Sequence, residues 1–188
     1  MTEPPESLVE EMGEPLPQVV SSRMVYEGRI IDVHVDEITL PGGGTALREV
    51  VDHPGAVVIA AVDNDDRIFL VRQYRHPIGR DLLELPAGTL EPGEKPLAAA
   101  KRELREEVGL EAGRWTPLPA FFSSPGFVNE GLHPFLAQDL TVVPADPDDD
   151  EVISVVRYPL AGLLEHLDEI ADAKTLATLL LLERVLSR

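Results

Sequence analysis

Three glutamates, Glu103, Glu106 and Glu107, stand close together in one short stretch of the chain. If the stretch is helical they lie on one side of it, because residues three and four apart are neighbours on a helix surface. Glu103 then faces like charges at both neighbouring positions, at a cost of about 0.2–0.5 kcal/mol for each pair. Carboxylate oxygens are the ligands that hard divalent ions prefer. The spacing therefore predicts a binding site for Mg²⁺, for which Mn²⁺ can substitute.

A helix over residues 96–108 is expected to carry these carboxylates. Pro96 suits the first turn of a helix, and Gly109 suits the left-handed residue that follows the last turn. The apolar residues that recur at three- and four-residue steps, and that should face the core, are Leu97, Ala100, Leu104 and Val108. The acidic stripe therefore borders a buried one.

Three glutamates on a helix also fit a second interpretation, a solvated face that carries salt bridges. Arg102 precedes Glu106 by four residues, which is the spacing of a favourable ion pair on a helix. The residues on either side of the helix decide between the two interpretations.

Residues 88–110 read GTLEPGEKPLAAAKRELREEVGL, and this string resembles the Nudix box. The box is a glycine, five residues, a glutamate, seven residues and then R-E-aliphatic-x-E-E-x-G-aliphatic. The positions that fit are Gly88, Glu94, Arg102, Glu103, Leu104, Glu106, Glu107, Gly109 and Leu110, and none departs from the pattern. The resemblance favours the metal site over the solvated face.

Composition narrows the class of protein. The 188 residues include 44% hydrophobic ones and no apolar run long enough to cross a membrane, so we expect a soluble protein. The first residues are acidic and proline-rich and do not have the pattern of a secretory signal, so the expected location is the cytoplasm. The absence of cysteine excludes disulfides, thiolate metal sites and a cysteine nucleophile, and it argues against the isopentenyl diphosphate isomerases, which have a similar box. A net charge of −18 repels nucleic acids and anionic lipids, so neither is an expected partner.

The chain is expected to have three parts. Residues 1–20 form an acidic, proline-rich tail without fixed structure, residues 21–55 an N-terminal antiparallel β unit, and residues 56–188 the Nudix domain. The acidic residues 145–151 are expected to form a solvated loop rather than a calcium loop, because they lack the glycine and the regular ligand spacing of one.

Strands and further helices follow from the apolar patterns. Strands are expected at residues 23–36, 45–52, 116–122, 132–137 and 152–157, together with a central hairpin of 56–62 and 68–74. Helices are expected at 160–167 and 173–186, the second with Asp172 as N-cap. The leucines of the last helix are expected to pack into the core rather than against a second subunit. Together these elements predict an α/β/α sandwich with a mixed sheet, which is the fold that the Nudix resemblance implies.

Residues outside the box resemble the ADP-ribose pyrophosphatase subgroup of the Nudix hydrolases. Pro125 lies sixteen positions after Gly109, within the string FSSPGF. Upstream, the strings VRQYR at residues 71–75 and LELPAG at 83–88 resemble segments of the same subgroup. Hydrolases of GDP-mannose and other sugar nucleotides share parts of these signatures.

The resemblance implies a metal site and a base. Glu103 and Glu107 bind the metal directly, Ala87 offers its backbone oxygen, and Glu106 binds a metal or orients water. Glu130 is the preferred general base, because a residue on a glycine-bearing loop can swing in once substrate binds, with Glu106 as the other candidate.

The resemblance also implies substrate contacts. Arg75 holds a phosphate, Glu84 holds a ribose or a phosphate-linked water, and Arg102 with Glu94 braces the loop and helix. For Arg75 an ion pair with Asp81 or Glu84 is the alternative.

The implied reaction is the hydrolysis of ADP-ribose to AMP and ribose 5-phosphate, which needs magnesium or manganese. Members of the subgroup form homodimers through their N-terminal strands, so Arg48 and Glu49 are expected to serve the partner's substrate site. Two alternatives stay open: a pyrophosphatase for a GDP-mannose or ADP-glucose type of sugar nucleotide, and a non-hydrolytic module that binds ADP-ribose.

Overall fold

An antiparallel sheet of three strands forms the first of two units in the chain. The computed structural model describes residues 16–145 and 153–187, and the first unit ends at Asp52. Its strands, in spatial order, are β1 (Val19–Glu27), β2 (Asp32–Thr39) and β3 (Thr45–Asp52). The edge strand β1 is exposed along its whole length.

The expected N-terminal unit needs two corrections. Residues 23–36 are not one strand, because the chain turns at Gly28, whose N–H donates to the carbonyl of Ile31 at 3.1 Å. Strand β1 also begins at Val19, inside the segment expected to be a loose tail, while residues 1–15 lie outside the described part of the chain. The expected strand at 45–52 is confirmed with its bounds.

The second unit begins at His53 and alternates strands with helices. Its elements in chain order are β4 (Ala56–Ala61), β5 (Arg67–Arg75), β6 (Arg80–Glu84), β7 (Ala87–Thr89), α1 (Pro96–Val108), β8 (Leu110–Pro117), β9 (Phe121–Phe122), β10 (Gly131–Val142), β11 (Ile153–Pro159), α2 (Leu160–Glu165) and α3 (Ala173–Leu186). Within residues 16–145 and 153–187, each helix is too short or too polar to span a bilayer.

Strand β4 is apolar throughout because both of its faces are buried. Val57, Ile59 and Ala61 pack with Leu104 and other residues of α1 in one apolar cluster. The alternate residues of β4 pack in a second cluster, with leucines of α2 and α3. Since successive side chains of a strand point to opposite faces, helices cover both sides of this sheet. The expected α/β/α arrangement is confirmed.

The strands of the second unit form two sheets. One has the order β7-β4-β10-β8, with β9 also paired to β10, and the other has the order β11-β5-β6. The β4–β10 pair is parallel and the β4–β7 pair antiparallel, so the first sheet is mixed, as expected.

The expected central hairpin is wrong. Strand β4 is already paired on both edges, with β7 and β10, and β5 therefore pairs with β6 and β11 in the other sheet. Beside the turn between them, Val62 and Ile68 form an isolated antiparallel bridge.

The structure confirms the two long helices that the sequence predicts. Helices α1 and α3 have the expected bounds, and the Asp172 carboxylate caps α3 by accepting a hydrogen bond from the Thr175 N–H at 3.0 Å. Helix α2 ends at Glu165, before the expected end. In α3 the core prediction holds for Leu179 but not for Leu180, which is half exposed.

Three further differences concern strands and a loop. Residues 116–122 are not one strand: β8 ends at Pro117, and β9 is a separate short strand. The sequence patterns gave no sign of β6 and β7. The expected acidic loop at 145–151 lies outside the described residues except for Ala145.

Candidate active site

Helix α1 presents a buried face that is part apolar and part acidic. Its buried residues are Ala99, Ala100, Glu103, Leu104 and Glu107. Leu97, which was expected in the core, is 40% exposed. The buried apolar stripe of α1 is therefore displaced away from Leu97, toward the side of the helix that carries the carboxylates. Gly109 ends the helix with φ of 69°, in the left-handed region that glycine adopts readily.

The carboxylate of Glu103 fills the space beside Gly88 in β7. A Cβ atom added to Gly88 would lie 1.9 Å from the carboxyl carbon of Glu103, far inside van der Waals contact. Glu103 itself is only 9% exposed. The glycine therefore allows a buried carboxylate to rest directly against the backbone of β7.

Glu107 contacts the preceding residue of the same strand. The Ala87 N–H donates to Oε2 of Glu107 at 3.0 Å, and Glu107 is 6% exposed. In an extended strand the N–H and the C=O of one residue point to the same edge. The carbonyl oxygen of Ala87 therefore lies on the edge of β7 that faces Glu107, where it was expected to act as a metal ligand.

The guanidinium of Arg102 lies among three carboxylates. It donates to Glu94 from Nε at 3.2 Å and Nη2 at 3.0 Å, and from Nη1 to Glu103 at 2.6 Å and to Glu106 at 3.0 Å. Nη2 also donates to the carbonyl of Thr89 at 3.1 Å. Arg102 thus ties the loop before α1, strand β7 and the helix together. The expected contact with Glu94 and the expected pair with Glu106 are both present.

These contacts also set the charge states of the group. The hydrogen bonds that Arg102 donates to Glu94 raise the pKa of Arg102 most, and the same bonds lower the pKa of Glu94 below its usual value. Arg102 therefore supplies a cation to the acidic group without any bound metal.

The oxygen ligands beside β7 suit a hard divalent ion. Two buried carboxylates and a carbonyl oxygen are oxygen ligands, as Mg²⁺ prefers, and Mg²⁺ is commonly bound by one or two carboxylates together with substrate phosphates and water. Within residues 16–145 and 153–187 no group of three His, Cys, Asp or Glu side chains forms a complete site. The protein oxygens that fit such an ion are those of Glu103, Glu107 and Ala87.

Glu106 differs from the other two glutamates because it faces a groove. The groove has a volume of about 620 Å³ and runs between α1 and β8. Arg102 and Glu106 line one side of it, and Trp115 lines the other. Water therefore reaches Glu106 more readily than it reaches the buried carboxylates.

Arg75 binds Glu84 through a two-point contact. Nε and Nη2 of Arg75 each donate to a carboxylate oxygen of Glu84 at 2.7 Å. This is the ion pair considered as the alternative role for Arg75. The bond with Glu84 raises the pKa of Arg75 most, and the charges of Asp172 and Glu107 raise it further. The charges of Arg75 and Glu107 therefore influence each other.

Glu84 is almost completely enclosed, with 1% of its surface exposed. Burial by itself raises the pKa of Glu84, but the hydrogen bonds from Arg75 and the charge of Lys174 together lower it below the usual value. Lys174, in the first turn of α3, donates a short hydrogen bond to Glu84. Sequence reasoning missed Lys174, because nothing local connects it to a residue that lies far upstream in the chain.

Glu130 ends a loop that begins after β9. The Ser123 N–H donates to the Glu130 carbonyl at 3.1 Å, and this bond closes the loop. The Glu130 carboxylate lies 3.7 Å from Nδ1 of His53, which is longer than a hydrogen bond. That nitrogen accepts a bond from the Gly55 N–H at 3.0 Å. His53 therefore does not fix the Glu130 side chain.

Arg48 and Glu49 lie next to each other on β3, in the first unit. Both are exposed, and Arg48 donates to the carbonyl of Leu47 at 2.9 Å. Adjacent residues of a strand point to opposite faces of the sheet. One face of the sheet can therefore present only one of these two side chains.

Comparison with known proteins identifies both parts of the chain. Residues 52–179 match the family model of the NUDIX domain, and residues 18–51 match that of the nucleoside diphosphate sugar hydrolase N-terminal domain. The ADP-ribose pyrophosphatase of Bacillus subtilis (strain 168) is 40% identical over 162 residues, which cover 84% of this chain and 88% of that protein.

Two further comparisons agree. The ADP-ribose pyrophosphatase of Mycobacterium tuberculosis is 43% identical over 147 residues, covering 77% of this chain and 71% of that protein. A solved structure of an ADP compounds hydrolase has a TM-score of 0.81 at 27% identity and covers 91% of this chain and 94% of that one. The expected fold class is confirmed.

Proposed function

The chain belongs to the Nudix hydrolase family, and we propose that it hydrolyses the pyrophosphate bond of ADP-ribose to AMP and ribose 5-phosphate. The observation that carries this proposal is the placement of Glu103 and Glu107, both buried against the backbone of β7. The choice of ADP-ribose is supported by two relatives named ADP-ribose pyrophosphatases, which align with most of the chain.

As a Nudix hydrolase, the protein uses a divalent metal ion, and we take that ion to be Mg²⁺, for which Mn²⁺ can substitute. Glu103, Glu107 and the carbonyl of Ala87 would hold it, with Glu106 as a further ligand or as the group that orients water. When bound, such an ion offsets the negative charge of a diphosphate and positions water for attack.

The other side chains of the site bind and orient. The guanidinium of Arg75 is assigned to a phosphate of the substrate, since its planar fork suits phosphate oxygens and only part of it is engaged by Glu84. Glu84 acts in this scheme by anchoring Arg75, because a side chain with 1% of its surface exposed does not reach the ribose or the phosphate-linked water that it was expected to bind. Arg102 keeps Glu103 and Glu106 in place through its hydrogen bonds.

The reaction adds one water across the P–O–P bridge. The water oxygen bonds to one phosphorus, the bridging P–O bond breaks, and the leaving phosphate departs with the bridging oxygen. The proton that the water loses needs an acceptor, and Glu130 is our candidate because its carboxylate is partly exposed on a loop and is not fixed by His53.

Changing Glu130 to glutamine is expected to lower kcat by about 10²–10⁴-fold, the usual contribution of a general base. The affinity for ADP-ribose should change little, because glutamine has nearly the same shape. Steady-state kinetics together with equilibrium binding measure the two effects separately. Glu165→Gln, at an exposed position of α2, is the matched control. A loss of affinity at unchanged kcat would make Glu130 a binding residue only.

The proposed reaction is tested by phosphorus NMR in oxygen-18 water. ADP-ribose, ADP-glucose and GDP-mannose are each incubated with the enzyme and Mg²⁺, and the products are identified by their shifts. We expect ADP-ribose to be hydrolysed fastest, with oxygen-18 in only one of the two products, which identifies the phosphorus that water attacks. If ADP-glucose or GDP-mannose were hydrolysed faster, that sugar nucleotide would replace ADP-ribose as the proposed substrate. Binding of ADP-ribose without turnover would favour a non-hydrolytic module.

A homodimer is the second part of the proposal. None of the described strands pairs with the outer edge of β1. The strand is exposed throughout, and it carries the large apolar residues Val19, Val20, Met24, Val25 and Tyr26. An apolar edge strand of this kind is usually covered by another chain. Sedimentation equilibrium should therefore give about twice the chain mass of 20.6 kDa. A mass equal to that of one chain at micromolar concentration would refute the dimer.

The proposal also includes the location of the protein in the cell and the kind of molecule that it binds. A cytoplasmic location is consistent with the lack of cysteine. The strongly negative net charge supports a small nucleotide sugar, rather than a nucleic acid, as the bound partner. Arg48 or Glu49 of a second chain would then be available to contact it.

A further inference from the structure

One buried carboxylate in this protein has two cations. Glu84 accepts two hydrogen bonds from Arg75, each at 2.7 Å, and a third from Nζ of Lys174. Arg75 and Lys174 lie on different elements, β5 and α3, so neither local sequence nor strand pairing brings them together. A second cation at this carboxylate needs a reason, because the two-point contact with Arg75 already compensates its charge.

The N-terminal turn of α3 holds Lys174 firmly in place. Nζ of Lys174 lies 3.0 Å from the Asp172 carboxylate, which also accepts the Thr175 hydroxyl at 2.6 Å. The Thr175 hydroxyl in turn accepts the N–H of Leu85 at 2.8 Å. This turn therefore binds both the Glu84 side chain and the backbone of the next residue, so Lys174 cannot leave Glu84 easily.

Substrate binding gives a reason for the second cation. A phosphate that approaches Arg75 competes with Glu84 for the same guanidinium. If Arg75 were the only cation at Glu84, turning toward the phosphate would leave a buried carboxylate without compensation, which is strongly unfavourable. With Lys174 in place the carboxylate keeps one cation, and Arg75 can share its donors with the phosphate.

We propose that Lys174 is a positioning residue: by sharing Glu84 with Arg75, it releases the Arg75 guanidinium for a phosphate of the substrate. The inference rests on the proposed hydrolysis of ADP-ribose and adds to it a residue to which no role has been assigned. Lys174 contacts neither substrate nor metal in this scheme, and it acts through Glu84 alone.

Lys174→Met tests the proposal through substrate affinity. We expect the Kd for ADP-ribose, measured by calorimetry in EDTA, and the KM, measured with Mg²⁺, to rise about tenfold, as for the loss of one charge-assisted hydrogen bond. The kcat should stay within about threefold, because the reacting groups are untouched. Lys174→Arg should restore most of the affinity. Lys95→Met, at the exposed lysine that precedes α1, is the matched control.

A double-mutant cycle separates this role from a purely structural one. In a Glu84→Gln background there is no buried carboxylate to share, so Lys174→Met should leave the Kd as it is in Glu84→Gln alone. An unchanged Kd in the single Lys174→Met variant would overturn the proposal. An equal rise in both backgrounds would overturn it as well, since Lys174 would then act independently of Glu84.

The experiment also allows for a variant that does not fold. Thermal unfolding is recorded for every variant. If Lys174→Met alone does not fold, Glu84→Gln is compared with the double variant Glu84→Gln/Lys174→Met. The proposal requires that these two variants have the same Kd. Measurements on the wild-type enzyme distinguish a failure of the proposed function from a failure of the proposed role of Lys174. Wild type that neither binds nor hydrolyses ADP-ribose contradicts the proposed function, whereas an active wild type with an unaffected Lys174→Met contradicts only the role of Lys174.

Discussion

Glu107→Gln is expected to lower kcat by about a thousandfold or more, which corresponds to about 4 kcal/mol of transition-state stabilisation. Glutamine has the shape of glutamate, and its amide oxygen can still accept the Ala87 N–H that Glu107 accepts at 3.0 Å. The fold around β7 should therefore persist. What the variant loses is one of the two buried negative charges that are suited to a divalent ion.

The control for this prediction is Glu111→Gln. Glu111 is an exposed residue of β8, and its ion pair with Arg105, at 3.8 Å, joins two exposed side chains, so its removal should hardly affect turnover. Rates at saturating Mg²⁺ and thermal unfolding are measured for both variants. If Glu107→Gln retained substantial activity while folded, the carboxylates of α1 would have no essential part in the reaction.

Gly88→Ala is expected to separate stability from activity. The added methyl group would occupy the position of the Glu103 carboxylate, 1.9 Å from its carboxyl carbon. The obstructing group is the end of a flexible side chain rather than backbone, so Glu103 can move aside. We expect a loss of stability of less than about 1.5 kcal/mol but a fall in kcat/KM of about 100-fold or more, because small displacements of a catalytic group are costly.

Gly162→Ala provides the comparison. Gly162 lies in α2, and an added Cβ would meet only a ring carbon of Tyr158 at 3.4 Å, an ordinary contact. Chemical unfolding and steady-state kinetics are recorded for both alanine variants. Gly88→Ala with wild-type kcat/KM would show that the position of Glu103 is not critical. A variant that does not fold would show that the glycine has a structural role instead.

The acidic helix could be predicted in detail because its signals are local. Pro96, Gly109 and the helix-forming residues between them specify both ends of α1 without reference to the rest of the chain. The capped helix α3 was predicted for the same reason. Leu97 was wrongly expected in the core because it is a large apolar residue. The small residues Ala99 and Ala100 pack against β4 instead, and Leu97 remains exposed.

The pairing of strands could not be predicted in the same way. An apolar strand followed by a tight turn and a second strand is typical of a hairpin, but the hairpin requires that the first strand have a free edge. Strand β4 has none, because β7 and β10 take both edges. Strands β7 and β10 both follow the turn and the strand that come directly after β4 in the chain. Which strands pair with β4 therefore depends on how the two apolar clusters are packed, and a local sequence pattern does not specify that packing.

Side-chain contacts between distant elements were also beyond the sequence. The link from Lys174 to Glu84 joins α3 to β6, and no spacing rule connects them. The position of Arg102 is a milder case. Its pair with Glu106 follows from helix geometry and its contact with Glu94 from the resemblance to the Nudix box, but the contact with the Thr89 carbonyl depends on how the preceding loop folds back.

Glu103 and Glu107 are proposed to bind a divalent ion at the site where the diphosphate is cleaved. The most direct test is a crystal structure of the protein with Mn²⁺ and a non-hydrolysable ADP-ribose analogue, measured at a wavelength where manganese scatters anomalously. We predict an anomalous peak within about 2.5 Å of carboxylate oxygens of both residues, with diphosphate oxygens of the analogue completing the coordination. A bound analogue with no such peak beside these side chains would contradict the claim.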